Sequence, residues 1–220
     1  MGYMETAVVV YLRKIYYPEG FFFPLKPIDA NIGLTEILRE AATIIMLAGA
    51  GILTGRNKTE KFGFFIFCFA VWDIFYYIFL YVLLGWPESL LTWDILFLIP
   101  VTWVGPVAGP VINSLSMIVL ALMISYFTDK SSKIFINRKE WLFLISGSLI
   151  IIISYIEDYL DYMLDIFKPA ELFWPTNNTA LIEHASKYVP VSFSWWIYCL
   201  GEFILITAIV MFYFRNRKMN

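Results

Sequence analysis

Residues Ile150–Phe167 read IIIISYIEDYLDYMLDIF. The first half is apolar enough to sit in lipid, and the second half carries Glu157, Asp158, Asp161 and Asp165. Glu157, Asp161 and Asp165 recur every four residues, so a helix stacks them on one face. Like charges at that spacing repel by roughly 0.2–0.5 kcal/mol per exposed pair, and by more near lipid. A chain that keeps them has to give them water, a cation, an arginine or a proton. The stretch therefore predicts a membrane helix that delivers a polar end to one leaflet.

Composition agrees. Of 220 residues, 60% are hydrophobic and 19% aromatic, and only 15% are charged. The mean hydropathy is +0.71, whereas soluble domains run at about 25% charged residues. The reading is an integral membrane protein. A net charge of −2 gives no reason to expect a nucleic-acid partner. Cys68 and Cys199 both lie inside apolar runs and read as small buried hydrophobes. His184 is the single histidine, so two histidines of this chain cannot ligate a haem, and without Cys/His clusters no iron–sulfur centre or structural zinc is expected.

Along the chain, residues 1–32 are aromatic and broken by Pro18, Pro24 and Pro27, and read as an interfacial arm at headgroup level. The apolar run Ala7–Leu12 is short, and Arg13–Lys14 follows it, the reverse of a signal peptide's order. Residues 33–220 then read as one all-α membrane domain of about five transmembrane helices, at about 33–54, 62–84, 107–127, 141–164 and 193–214. Asn31 is the expected N-cap of the first. Between the second and third lies GWPESLLTWDILFLIPVTWVGPVAGP, residues 85–110. Its apolar run Leu90–Ile99 is half a bilayer long, since a span needs about 20 residues, and its prolines forbid one continuous helix. A short interfacial or re-entrant half-helix at about 88–99 is expected there. The loop of residues 165–192 carries Trp174, Pro175, His184 and an Asn177–Asn178–Thr179 sequon.

Arg56, Lys58 and Lys61, then Lys130, Lys133, Arg138 and Lys139, then the basic tail would share a side if the spans are five. By the bias of basic loops that side is cytoplasmic, with the N-terminus outside and the C-terminus inside. Arg13, Lys14 and Lys26 in the arm weigh against it. In this orientation Glu36, Glu40, Glu157 and Asp161 reach the outer leaflet. Glu202 lies roughly 13 Å down the fifth span, and Asp73 sits near the middle of the second. Arg39, Asp94, Asn113 and His184 are the supporting polar groups. The expectation is an outward-facing acidic pocket roofed by residues 85–105 and the 165–192 loop.

Plainer readings apply to several members. Asp158 and Asp165 can be solvated helix-end charges, Glu36 can complement a helix dipole, and Glu40 can pair with Arg39. Asp94 can anchor the half-helix, and His184 can be an exposed loop residue. Asp73 and Glu202 resist this, because a carboxylate in mid-span costs roughly 2.5–3.5 kcal/mol on insertion scales unless it is protonated or partnered.

WDIFYYIFLYVLLGWPESLLTWDILFLIPVTWVGPV, Trp72–Val107, resembles a signature of small bacterial polytopic inner-membrane proteins, and the likeness extends back to TEILREAATIIMLAGAGIL, Thr35–Leu53. No activity comes with it. The resemblance implies a bacterial origin and an inner-membrane address.

Three functions fit this reading. The first binds or conducts a cation or proton through the acids, as an oligomer or as a subunit of a larger membrane complex, because the chain lacks the paired repeats of complete transporters. The second is an intramembrane carboxylate enzyme, metal-dependent if Glu40, Glu157, Asp161 and Glu202 share a cation, although the E-x-x-H repeats of di-iron bundles are missing. The third is a structural membrane subunit whose acids are merely hydrated or salt-bridged.

Overall fold

The computed structural model describes residues 1–131, 133–172 and 179–217. Trp174, Pro175 and Asn177–Asn178 of the sequon lie outside them. Among the described residues the elements run α1 (Gly2–Tyr16), α2 (Ala30–Thr54), α3 (Lys58–Leu84), β1 (Trp93–Phe97), β2 (Trp103–Pro106), α4 (Ala108–Lys130), α5 (Arg138–Leu164), α6 (Pro169–Leu172), α7 (Thr179–Ala185) and α8 (Trp195–Arg217). Five of them, α2, α3, α4, α5 and α8, are long and apolar enough to cross a membrane. The protein is an all-α, multi-pass membrane protein.

Caps explain where these helices begin. At α2 the cap is Asp29 and not Asn31: Asp29 Oδ1 accepts the N–H of Asn31 at 2.9 Å. Helix α3 starts ahead of the expected residue 62 because Asn57 Oδ1 accepts the Glu60 N–H at 3.0 Å, allowing Lys58 to open the helix. At α5, Asn137 and Glu140 exchange bonds of 2.8 and 2.9 Å. This reciprocal capping pattern satisfies donors that a helix start leaves open.

The arm contains a helix of 15 residues, Gly2–Tyr16, shorter than a membrane span. One expectation fails. The expected half-helix at 88–99 is a β-hairpin. Strands β1 and β2 pair antiparallel, Asp94 opposite Gly105 and Ile95 opposite Val104, with an irregularity between Ile95 and Phe97. A short apolar run bounded by prolines suits a strand as well as a helix, and here Pro87 and Pro100 bound it. The Val107 N–H donates to Thr92 O at 3.0 Å and closes the base of the hairpin. Gly105 is required for packing, because a Cβ there would meet Tyr155 at 3.1 Å and Phe193 at 3.2 Å.

The described chain forms two compact units. The first comprises Met1–Ala42, Tyr76–Val107 and Ser154–Ser194. Its core joins Val104, Tyr159, Met163 and Tyr188, with Trp103 stacked on Tyr155. The second comprises Thr43–Phe75, Ala108–Ile153 and the chain from Trp195 onward. Its core includes Ile66, Leu120, Ile124, Phe127, Leu144, Ile209 and Phe212. Gly147 and Gly201 bring α5 and α8 close, since a Cβ at Gly147 would lie 2.9 Å from Gly201 O, as small residues do in membrane bundles. Cys68 is half-buried and Cys199 is exposed. Cys199 is thus not the buried hydrophobe expected.

Candidate functional site

In the second unit, polar groups converge on the start of α4, where Asn113, Ser114 and Ser116 sit within one and a half turns. The Ser114 hydroxyl donates to Asp73 Oδ2 at 2.8 Å. The Ser116 hydroxyl donates to Glu202 Oε1. The Tyr198 hydroxyl bonds to Asn113 Oδ1 at 2.8 Å and to Gly109 O at 2.9 Å. Asp73 comes from α3, and Tyr198 and Glu202 come from α8 one turn apart. The result is a polar seam inside helices otherwise built of apolar residues.

Glu202 is the least satisfied member. It is only 7% exposed, and its Oε2 is buried with no hydrogen-bond partner. No lysine, arginine or histidine forms a salt bridge to it among the described residues. A buried polar atom without a partner is costly, and it marks a place where a proton or a cation adds a favourable contact.

Acids at the ends of this unit are handled differently. Glu60 bonds the Arg56 guanidinium at 2.9 Å, and Arg56 also reaches Asp129 at 3.0 Å. Glu140, 1% exposed, takes Arg215 through two bonds of 2.8 and 2.9 Å. Sequence reasoning passed over both glutamates. Their spacing three residues after Asn57 and Asn137 is the capping signal that finds them.

The first unit holds its charges in ion pairs. Arg39 binds Glu36 Oε2 through Nε at 2.9 Å and Nη2 at 2.7 Å. It also binds Glu5 of α1. Glu36 and Glu40 are both buried. Glu40 does not pair with Arg39 by a direct bond: its Oε2 accepts the Leu98 N–H at 2.9 Å, holding the far end of the hairpin. Arg13 pairs with Asp94 at 3.2 Å, its guanidinium lying 3.7 Å from the Trp86 ring centre and 4.5 Å from that of Phe21. Burial outweighs the attraction of Arg13 and raises the Asp94 carboxyl to about 6. Asp94 therefore anchors a strand, where a half-helix anchor was expected. Glu5 and Arg13 were not among the candidate residues. Their eight-residue spacing, which puts both on one helix face, was the available signal.

The acidic ladder of α5 is not a buried site. Asp161 and Asp165 are exposed, and Glu157 is half-buried with Oε2 enclosed and unpartnered. Asp158 is not simply solvated, because it accepts the Tyr188 hydroxyl at 2.7 Å and the Val191 N–H at 3.3 Å. Burial and the adjacent Asp158 charge raise the Tyr188 phenol above its usual range. His184 is not a free loop residue either. It lies in α7 and stacks on Tyr162 with ring centres 4.3 Å apart. Among the described residues no three His, Cys, Asp or Glu side chains are grouped to hold a metal ion.

Fold and site together define a multi-pass helical membrane protein with carboxylates inside its spans. No family model, curated protein or solved structure matches the chain.

Proposed function

We propose that the protein binds a proton or small cation at Glu202, with Asp73 and the α4 serines as further polar groups of the same seam, and that it works as an oligomer or as a subunit of a larger membrane complex. The observation carrying this reading is the buried Glu202 carboxyl, with one oxygen on Ser116 and the other unpartnered. Such a carboxyl gains a ligand when it takes up a proton or a cation, whereas an acid already matched to arginine gains none. The distribution of basic loops supports a bacterial inner-membrane protein with its C-terminus in the cytoplasm and the acids of α2 and the end of α5 toward the outer face.

The test combines chemistry with flux. An apolar carbodiimide reacts with protonated carboxyls in lipid-accessible, water-poor surroundings. Vesicle-embedded protein should be modified at Glu202, less so as pH rises or as the bound cation is added. Proton or cation flux measured in the same vesicles should be lost in Glu202→Gln. Unchanged flux in Glu202→Gln, together with no modification of Glu202, overturns the reading.

A second reading, a structural one, is favoured by a specific observation in the first unit. There Glu5 and Glu36 share Arg39, and Asp94 has Arg13. These acids are held by guanidinium groups as scaffold, although Asp94 Oδ2 is itself buried without a hydrogen-bond partner. A metal-dependent carboxylate enzyme would need several acids around one ion, and among the described residues no three His, Cys, Asp or Glu are grouped to hold one.

A further inference from the structure

Helix α1 is built with its polarity reversed. The residues it turns into the protein are polar: Thr6 is 0% and Arg13 7% exposed, and the Glu5 side chain is 11% exposed. Those it turns outward are large and mostly apolar, with Tyr3 53%, Met4 70%, Tyr11 66% and Ile15 68% exposed. An amphipathic helix resting on a membrane does the opposite, presenting charge to water and burying its apolar face. Lys14 is the exposed charge of α1, and it lies in the last turn, where a lysine stem can reach the headgroups.

The partners of α1 locate it. Glu5 binds Arg39, the tenth residue of α2 and about 13 Å along its axis from Ala30. Thr6 donates to Tyr76 O at 3.2 Å, about 12 Å before the end of α3 at Leu84. The Tyr3 ring packs edge-on against Phe79. Helices α2 and α3 exceed the roughly 30 Å hydrocarbon layer only by several ångströms. Contacts this far from their ends fall on the order of 7–10 Å inside the layer.

We infer that α1 is a lipid-embedded segment that does not cross the bilayer, with acyl chains covering Tyr3, Met4, Tyr11 and Ile15. The helix then seals the Glu5–Arg39–Glu36 and Arg13–Asp94 pairs from lipid. It also helps to cover the hairpin, whose non-helical backbone is tolerated at membrane depth only behind protein. The arm expected at headgroup level thereby becomes part of the embedded wall.

Site-directed nitroxides test this on the full chain. In a Cys68→Ser, Cys199→Ser background, Met4→Cys, Tyr11→Cys and Ile15→Cys are labelled one at a time. They are reconstituted in phosphatidylcholine–phosphatidylglycerol vesicles. Collision with oxygen, which partitions into lipid, is compared with collision with a water-soluble nickel chelate. Ile153→Cys, on the exposed face of α5, is the lipid reference, and Lys58→Cys, at the exposed start of α3, is the water reference. All three α1 positions should shift to the oxygen preference of position 153. The nickel preference of position 58 overturns the inference, and so does spin–spin broadening between chains, which would put a second copy on this face. Ion flux plays no part in the readout, so failure here is distinct from failure of the Glu202 reading.

Discussion

The two units treat their buried and half-buried carboxylates in different ways. In the first, Glu5, Glu36 and Asp94 each meet a guanidinium. In the interior of the second, Asp73 and Glu202 meet serine hydroxyls, and the arginines of that unit, Arg56 and Arg215, serve glutamates near helix ends instead. A carboxylate with a guanidinium beside it loses that ion pair when it takes up a proton. The buried Glu202 carboxyl, bonded to the Ser116 hydroxyl and without a salt bridge among the described residues, can gain or lose a proton without breaking an ion pair. The difference sets the order in which the two should respond to substitution.

The largest effect belongs to Arg39. Arg39→Gln leaves Glu5 and Glu36 facing each other without their cation. Removing one partner of a buried pair costs about 3–5 kcal/mol. Thermal unfolding in detergent should show a large loss of stability, with Arg39→Lys recovering only part of it because a point charge cannot reproduce the fork geometry. Wild-type stability in Arg39→Gln would mean that the first unit is not held by its ion pairs.

Asp94 gives a pH signature. Its folded carboxyl titrates at about 6 against an ordinary 3.8. The folded state thus holds this proton more tightly than the unfolded chain. The contribution to stability is complete below pH 3.8 and is lost as pH rises through about 6, on the order of 3 kcal/mol in all. Wild type should lose stability across that window relative to Asp94→Asn. The difference between the two slopes is the quantity to measure, since Asp94→Asn also leaves Arg13 without its counter-charge at every pH.

A smaller effect is expected at His184. Its ring lies parallel to Tyr162 at 4.3 Å, and such stacks contribute about 0.5–1.5 kcal/mol beyond area burial. His184→Ala should lower the unfolding midpoint modestly and leave flux intact. Loss of flux in this variant would move the functional site into the first unit.

Much of this contrast was legible in residue order. The five spans follow from long apolar runs such as Phe62–Leu84, broken by a single charge, which no soluble core requires. Asp73 and Glu202 stand out because each is a lone charge within such a run. The hairpin was not legible, because a ten-residue apolar run between prolines fits a short helix or a strand equally, and the choice came from tertiary pairing with Val104 and Gly105. Helix α1 was hidden by its reversed polarity: Glu5 and Arg13 flank the short apolar run of an arm that looks broken until Arg39 and Asp94 are placed beside them. The ladder Glu157–Asp161–Asp165 was read as needing water, a cation, an arginine or a proton. Repulsion at four-residue spacing is relieved where Asp161 and Asp165 are exposed to solvent, the first of those alternatives.

The smallest expected change in stability is at Glu202, and it discriminates most. If Glu202 were a structural ion pair, Glu202→Gln would unfold the second unit as Arg39→Gln unfolds the first. It has no salt bridge, and glutamine keeps an oxygen for the Ser116 hydroxyl while removing the titratable group. The stability change should therefore be within about 1 kcal/mol, the scale of one neutral hydrogen bond, and it should favour the variant wherever the wild-type carboxyl is ionised. Flux should nonetheless disappear, and Ser116→Ala should weaken it without abolishing it, since the hydroxyl positions one oxygen of the carboxyl and leaves the other open. A Glu202→Gln protein that unfolds readily would place this carboxyl with the scaffold acids and erase the distinction between the two units.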